Sequence, residues 1–362
     1  MLGAMSLRIA SAIFNMRSTC LPFYPFFPLE ITVRELSSCP MCGSSEWCNS
    51  YIGKTTRNPD EPSRWIVAQC SACDHGFLNP QPTWDKLNQY YNANYQPYDA
   101  SHGLTKSLES TVAKAESTGT YNHVAIRPGL RILDVGAGGG SFLTVAKALG
   151  AHTMGVEPST FGVRAARANG LDLFEGTLEQ YVASGVNERF DLITFSHVIE
   201  HLPDPIGTLT LAASLLADGG RIWLAVPNAA CHSARRLQWR WHSADLPIHL
   251  HHFSPQSMRV AAEKAGLSLH SLNTYSLPAA VRSSLLLEWR HRWMVPQKVG
   301  SAVLSTTFIE QRASRMDKDG VGEAILAEFT LSGTRKSIVA CDSVRAETGS
   351  LRTPACVMTS GV

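Results

Sequence analysis

The chain is 362 residues long, 44% hydrophobic and 17% charged, with 32 basic against 30 acidic residues and a formal net charge of +2. That composition is typical of a globular protein able to bury a core, with room for one large domain plus a small one, or two ordinary ones. The balanced charge supplies no bulk basic surface for nucleic acid or membrane, and no stretch approaches the roughly 18–20 apolar residues of a membrane span.

Residues 1–29 carry Arg8 and Arg17, no acidic residue before Glu30, and a broken apolar run. A targeting peptide would need a clean apolar segment and a small-residue cleavage site. The expectation for residues 1–36 is therefore a disordered extension, or a start set too far upstream.

Residues 37–82 are strand- and turn-like and contain two C-x2-C pairs, Cys39/Cys42 and Cys70/Cys73. Cys20, Cys48, Cys231, Cys341 and Cys356 stand alone. An odd total with tight pairs argues for a reducing, cytoplasmic setting and for metal ligation, not for a disulfide framework. Each pair presents two thiolates to one tetrahedral Zn2+, and four cysteine ligands leave no open position, so the expected site is structural. Gly43 gives the first knuckle its turn, and Asp74, at the same place in the second, tolerates a left-handed backbone better than most residues. His75 is an alternative ligand, expected instead at the surface. Lys54, Arg57 and Arg64 are the only basic residues in the intervening loop, which argues against nucleic-acid binding.

Residues 83–128 read as a polar, aromatic and then helix-compatible connector. Trp84, Tyr90, Tyr91, Tyr95 and Tyr98 are expected to pack the two units together or to line a substrate entrance.

From Leu130 short apolar runs alternate with amphipathic helices, the pattern of a parallel α/β sheet. "LRILDVG", "HTMGVEP", "LDLFEG", "FDLITFSH" and "RIWLAVPN" read as strands. "SFLTVAKALG", "TFGVRAARANG" and "DPIGTLTLAASLLADGG" read as helices, the last with a glycine stop. "SPQSMRVAAEKAG" is a helix with Ser254 as N-cap and Pro255 at its first position. Strands are expected at 267–276 and 323–331. The long interval between them, too long for a hairpin loop, includes the helix-like "SLLLEWRHRW" and reads as a cap or insert over 277–320. The polar, aperiodic residues 334–362 are expected to be a disordered tail.

The glycine loop in "RILDVGAGGGSFL" decides most of the function. It has no lysine and no Gly-Lys-Ser/Thr, so it does not suit a triphosphate. Gly136, Gly138 and Ser141 only half match a dinucleotide fingerprint. Asp134, at the strand end, would face a diphosphate unfavourably but suits a cationic ligand. S-adenosylmethionine is one, with a sulfonium, an α-ammonium and no phosphate. Glycines at 136, 138 and 140 permit close backbone approach without requiring an anion. Glu157 ends the next strand, where a carboxylate can accept both ribose hydroxyls, a device that NAD enzymes share.

"ILDVGAGGGSFL", "GVEPS", "FDLITFSHVIEHLPDP" and "GGRIWLAVPN", in that order, resemble the consecutive core motifs of class I S-adenosylmethionine-dependent methyltransferases. "CPMCG…CSACDHGFLNPQP…LNQYY" resembles the small zinc-binding unit that precedes the domain in a bacterial subgroup linked to sugar, lipid or secondary-metabolite modification. The resemblance implies a Rossmann-like, doubly wound, mostly parallel seven-stranded sheet over 129–276 and 321–333, preceded by a zinc-ribbon-like unit over 37–82. It implies S-adenosyl-L-methionine as cofactor, held by Asp134, Gly136, Ala137, Gly138, Gly140, Glu157, Pro158, Ser196 and His197, with Zn2+ on Cys39, Cys42, Cys70 and Cys73.

Methyl transfer is an in-line displacement that needs collinear donor and acceptor and can use a base. In "SHVIEH", His197 falls at the strand terminus, with Glu200 and His201 three and four residues on. Glu200 and His201 are placed either toward the ligand or against each other, bracing the loop. "DLPIHLHHFS" offers His249, His251 and His252 near the same edge, and one of His249 and His252 is the expected general base. Asp245 is the only carboxylate at ligand spacing there, which argues against a catalytic metal. Asp191 reads as structural.

The implied partner is a small-molecule methyl acceptor, with no nucleic acid and no membrane span; the sequence sets neither the acceptor atom nor the oligomeric state. The competing readings are a non-catalytic S-adenosylmethionine binder, a nucleotide-sugar oxidoreductase, and a nucleic-acid or protein methyltransferase. The first would lack the polar residues after the strands, and the second would need the third fingerprint glycine. A nucleic-acid enzyme would need a basic face or an Asn-Pro-Pro-Tyr-type loop.

Overall fold

The computed structural model of the protein describes residues 33–55, 61–87, 90–91, 107–294 and 303–333. The extension before Val33, the aromatic residues Tyr95 and Tyr98, and the tail beyond Gly333 lie outside the described residues.

The cysteine-bearing unit is built from short strands: β1 (Val33–Arg34), β2 (Trp47–Gly53), β3 (Trp65–Cys70), β4 (Gly76–Leu78) and β5 (Gln81–Pro82). β1 pairs antiparallel with β5, and the Leu36 amide donates to Asn79 Oδ1 at 2.9 Å. Residues 33–36 therefore belong to this unit, which corrects the extension drawn through residue 36. The knuckle turns have the backbone their residues favour, with Gly43 at φ 81° and Asp74 at φ 56°.

The connector holds α1 (Trp84–Leu87), α2 (Leu108–Thr118) and a hairpin, β6 (Thr120–Tyr121) with β7 (Val124–Ala125). Its two turn residues, Asn122 and His123, both have positive φ, 47° and 67°, the geometry that matches strand twist in a two-residue hairpin. Tyr121, Val124 and Ile126 bury against Ile132, Val145 and Ala146. The end of the connector is thus part of the larger core, not a helix.

The larger unit runs β8 (Arg131–Val135), α3 (Ser141–Ala148), β9 (His152–Glu157), α4 (Thr160–Ala168), β10 (Leu173–Glu175), α5 (Leu178–Ala183) and β11 (Phe190–Ser196). It continues through α6 (Pro205–Ser214), β12 (Leu216–Pro227), α7 (His232–Leu237), β13 (His251–His252), α8 (Pro255–Lys264) and β14 (Leu267–Tyr275). Helices α9 (Pro278–Trp293) and α10 (Thr306–Lys318) precede β15 (Ala324–Leu331). The sheet order is β10-β9-β8-β11-β12-β15-β14, with β15 antiparallel to both neighbours and the pairs from β10 to β12 all parallel. Both faces are covered, so the central strands are continuously apolar. Leu133, Ile193 and Leu224 join one core cluster while their neighbours Ile132, Leu192 and Trp223 join the other, the period-2 alternation of a strand. Arg131 is held at the strand start by Asp191, which accepts from its Nη2 at 2.7 Å and from its amide at 3.0 Å.

The segment "LLADGG" is a correction. It reads as the end of a helix, but α6 stops at Ser214 and β12 already begins at Leu216. Leu216 pairs with Phe190, and the register shifts before Leu192 meets Arg221. The extra residues of the Asp-Gly-Gly stretch are taken up as an irregularity in the ladder.

One strand joins the two units. β13 pairs with β4, completing the four-stranded sheet β13-β4-β3-β2, and the Leu78 amide donates to Leu250 O at 2.9 Å. Gln256 Nε2 donates to Ala72 O at 3.1 Å, a second tie to the knuckle.

Candidate functional site

The chain order of the strands reverses between β8 and β11, and in open α/β sheets ligands bind at the carboxyl ends of the strands at such a point. The glycine loop lies there. The Gly136 and Ala137 amides donate to Val156 O at 2.8 and 3.2 Å, folding the loop back onto the end of β9. A Cβ at Gly136, whose φ is 74°, would overlap the Val198 side chain. Glu157 accepts from the Gly138 amide and from the Ser159 amide, each at 2.8 Å. The carboxylate expected at a ribose therefore also braces the loop.

Asp134 is buried, and Thr194 Oγ1 donates to it at 2.6 Å. Burial pushes the Asp134 carboxyl up to about 7, with the Thr194 hydrogen bond acting the other way and the Glu157 charge adding to the rise. Thr194 was missed in the sequence; its one signal is a polar residue inside the apolar run of β11. Ala137, Gly138 and Gly140 are buried in the loop, while Pro158 and Ser196 are exposed at the strand ends.

His197 follows β11 with φ 55°, fixed by its amide donating to Ala225 O at 2.8 Å. Its side chain is 56% exposed, and Nδ1 lies 3.4 Å from Glu200 Oε1. Desolvation lowers the His197 pKa, but the close Glu200 carboxylate more than offsets this, leaving it raised. Glu200 is fully buried, and neither of its oxygens has a conventional hydrogen bond among the described residues. His201 turns the other way: its Nδ1 lies 3.2 Å from both Tyr91 Oη and Ile248 O. Glu200 and His201 therefore do not brace each other; one faces His197 and the other ties down the loop before β13.

The loop histidines are placed differently from expectation. His249 is buried, its Nδ1 donates to Ser243 O at 2.9 Å, and its ring packs edge-on against His201. His251 and His252 form β13, opposite Phe77 and Gly76. His75, expected at the surface, is instead wholly buried, and its Nε2 shares a 3.0 Å hydrogen bond with His251 Nδ1. The reason is strand pairing: β13 hydrogen-bonds into the cysteine unit, so its side chains enter the seam between the units.

This seam gives an expected acid sensitivity. Burial pushes His251 down to about 3 and His252 down to about 4, against an ordinary value near 6.5 in the unfolded chain. The unfolded state then binds more protons below pH 6.5, so stability is fully present above that value and is lost as pH falls. Each histidine should cost roughly 2 kcal/mol between pH 7.5 and 5. Urea unfolding at the two pH values checks this; an unchanged free energy would mean that the seam is open to water.

Glu200, His201 and His249 each offer a ligand atom within 4.8 Å of the others. Sequence spacing offered only Asp245 as a carboxylate here; the fold supplies Glu200 from another segment. The four knuckle cysteines form a second group within the same limit, with Cys39–Cys73 and Cys42–Cys70 sulfurs 3.6 Å apart in each pair. Tetrahedral Zn–S bonds of about 2.3 Å place sulfurs about 3.8 Å apart, so this donor set fits zinc. The Cys73 hydrogen bond lowers the Cys39 thiol to about 5, against the opposing effect of burial.

Residues 99–272 match a family model described as a methyltransferase domain. A ubiquinone biosynthesis O-methyltransferase of Aromatoleum aromaticum is 32% identical over 28% of this chain and 45% of its own length. The protein of the same name from Xanthomonas euvesicatoria is 29% identical over 45% of this chain and 70% of its own. The match thus spans less than half of the first relative. Among solved structures, an S-adenosylmethionine-dependent methyltransferase from Archaeoglobus fulgidus aligns with a TM-score of 0.41 and 18% identity, over 63% of this chain and 96% of that one. The family match covers just under half of the chain, and the strand order and glycine-loop geometry of the same region agree with its likeness to a methyltransferase domain.

Proposed function

We propose that the protein transfers the methyl group of S-adenosylmethionine to a hydroxyl of a small-molecule acceptor. The observation that carries the reading is the grouping at one sheet edge of buried Asp134, the glycine loop braced by Glu157, and the His197–Glu200 pair. The relatives' printed name supports oxygen as the acceptor atom.

The bound cofactor supplies an electrophilic methyl on a sulfonium. Asp134 is placed to balance a cationic methionyl portion, and Glu157 retains lone pairs for ribose hydroxyls. Pro158 and Ser196 border the same crevice. His197, exposed at the neighbouring strand end, takes the role of general base, with Glu200 holding its ring and stabilising its protonated form. His249 and His252, the bases favoured by spacing, are buried away from that crevice and take no catalytic part. Cys39, Cys42, Cys70 and Cys73 hold a structural Zn2+. Among the described residues no helix is long and apolar enough to cross a membrane.

Isothermal titration tests the cofactor reading. S-adenosylhomocysteine should bind and NADH should not, and Gly138→Arg should abolish binding by filling the loop. Because Asp134 titrates near 7, S-adenosylmethionine should bind more tightly at pH 8 than at pH 6. Tight NADH binding would replace this reading with an oxidoreductase.

A further inference from the structure

Glu323 is a buried carboxylate that the chemistry above does not use. Its side chain is 5% exposed, and neither oxygen accepts a hydrogen bond from any described residue. Its ion-pair contact is with His242, whose Nε2 is 4.0 Å from Oε2, beyond hydrogen-bond distance. A buried polar group left without a partner costs about 1–3 kcal/mol, and more when charged. Such a group calls for an explanation.

Its backbone is fixed from several sides. The Asn228 amide donates to Glu323 O at 2.9 Å, Asn228 Nδ2 donates to Gly322 O at 2.7 Å, and the Glu323 amide donates to Ser276 Oγ at 3.2 Å. The next residue, Ala324, pairs with Pro227, the last residue of β12. Because β15 runs antiparallel, its first residue comes to the carboxyl edge of the sheet, the edge that carries the glycine loop and His197. Glu323 stands on the β15 side of β12, and His197 stands on the β11 side. Two strand spacings, roughly 10 Å, separate those positions, so a small molecule that reaches both would lie across the end of β12. Trp241, beside His242, is buried with its indole N–H also unpartnered among the described residues.

We infer that Glu323 is the acceptor-recognition residue, its carboxylate taking hydrogen bonds from a hydroxyl or ammonium group at the end of the acceptor away from the transferred methyl. His242, 40% exposed at its side chain, borders the same spot. This inference rests on the methyltransferase reading and adds to it the polarity that the acceptor must carry.

A structural carboxylate and a binding carboxylate differ in their effect on stability. Removing a buried carboxylate that lacks hydrogen bonds and serves a ligand should leave the ligand-free protein as stable or more stable. Glu323→Gln and Glu323→Leu should therefore melt at or above the wild-type temperature, with S-adenosylhomocysteine affinity within about twofold. With S-adenosylhomocysteine bound, saturation-transfer NMR should detect phenol (a hydroxyl donor) or benzylamine (an ammonium donor) on the wild type. Anisole, which lacks a donor, is the control. The Leu variant should weaken the bound donor about 10- to 100-fold relative to anisole, as expected for a hydrogen bond to a charged group. Which probe binds distinguishes a hydroxyl from an ammonium acceptor. Lower melting temperatures in both variants would overturn the inference, as would donor binding that is absent from the wild type or undiminished in the Leu variant. Wild-type protein that fails to bind S-adenosylhomocysteine would instead overturn the methyltransferase reading.

Discussion

Replacing His197 with alanine is expected to lower turnover 100- to 10,000-fold, the range that a positioned general base contributes. The measurement is tritium transfer from labelled S-adenosylmethionine to the best acceptor among small phenols, alcohols and amines. His197 is the exposed member of its cluster and stands at the strand end beside the glycine loop. Only its neutral form accepts a proton. Since Glu200 raises its pKa above the ordinary 6.5, activity should fall as pH drops through a value above that point. Glu200→Gln removes the stabilising charge, so the acid limb should move to lower pH along with a loss of rate. A merely structural Glu200 would lower stability without moving the limb. By contrast, His252→Ala should reduce thermal stability and leave the limb in place. A His197→Ala loss below about tenfold would mean that positioning alone carries the reaction.

Removal of the zinc proposed on Cys39, Cys42, Cys70 and Cys73 is expected to unfold the cysteine unit and to loosen the edge of the adjoining domain with it. Structural zinc contributes about 10 kcal/mol or more to isolated fingers, comparable to the whole stability of a domain. Elemental analysis should give one zinc per chain, and Cys39→Ser should lose it with a lower melting temperature. The effect should spread along β4 into β13, because the Leu78 amide donates to Leu250 O and His75 bonds to His251. Hydrogen exchange at Leu78 should therefore quicken in the variant. S-adenosylhomocysteine affinity should stay within a few-fold, since the glycine loop is held by β9 and Glu157. A stable protein purified without metal would contradict the assignment. Metal retained in full by Cys39→Ser would point to Glu200, His201 and His249 as its site.

The parallel sheet was legible in the sequence because each strand and helix carries its own period, and the knuckles because C-x2-C spacing is local. Asp134, the glycine loop and Glu157 could be placed for the same reason: each follows a strand that its own apolar residues define. The fate of Leu216–Gly220 was not local. A helix stop and a strand start share the same Asp-Gly-Gly signal, and pairing with Phe190 decided between them. Neither were the roles of the histidines. Spacing brought His249 and His252 near the catalytic edge, but tertiary contacts buried both: His249 bonds to Ser243 O and packs on His201, and strand pairing across the two units put His252 in the seam, where burial favours the neutral form. Glu200 and His201 are adjacent in sequence, and the turn after β11 sends them to different partners. Glu323 had no motif at all: it reaches the edge because β15 runs antiparallel between β12 and β14. The sequence by itself determined most of the strands and helices and the glycine loop, through local periodicity and turn chemistry. Tertiary structure alone decided which side chains are exposed at the edge and which are buried in the seam, because burial depends on contacts between residues far apart in the chain.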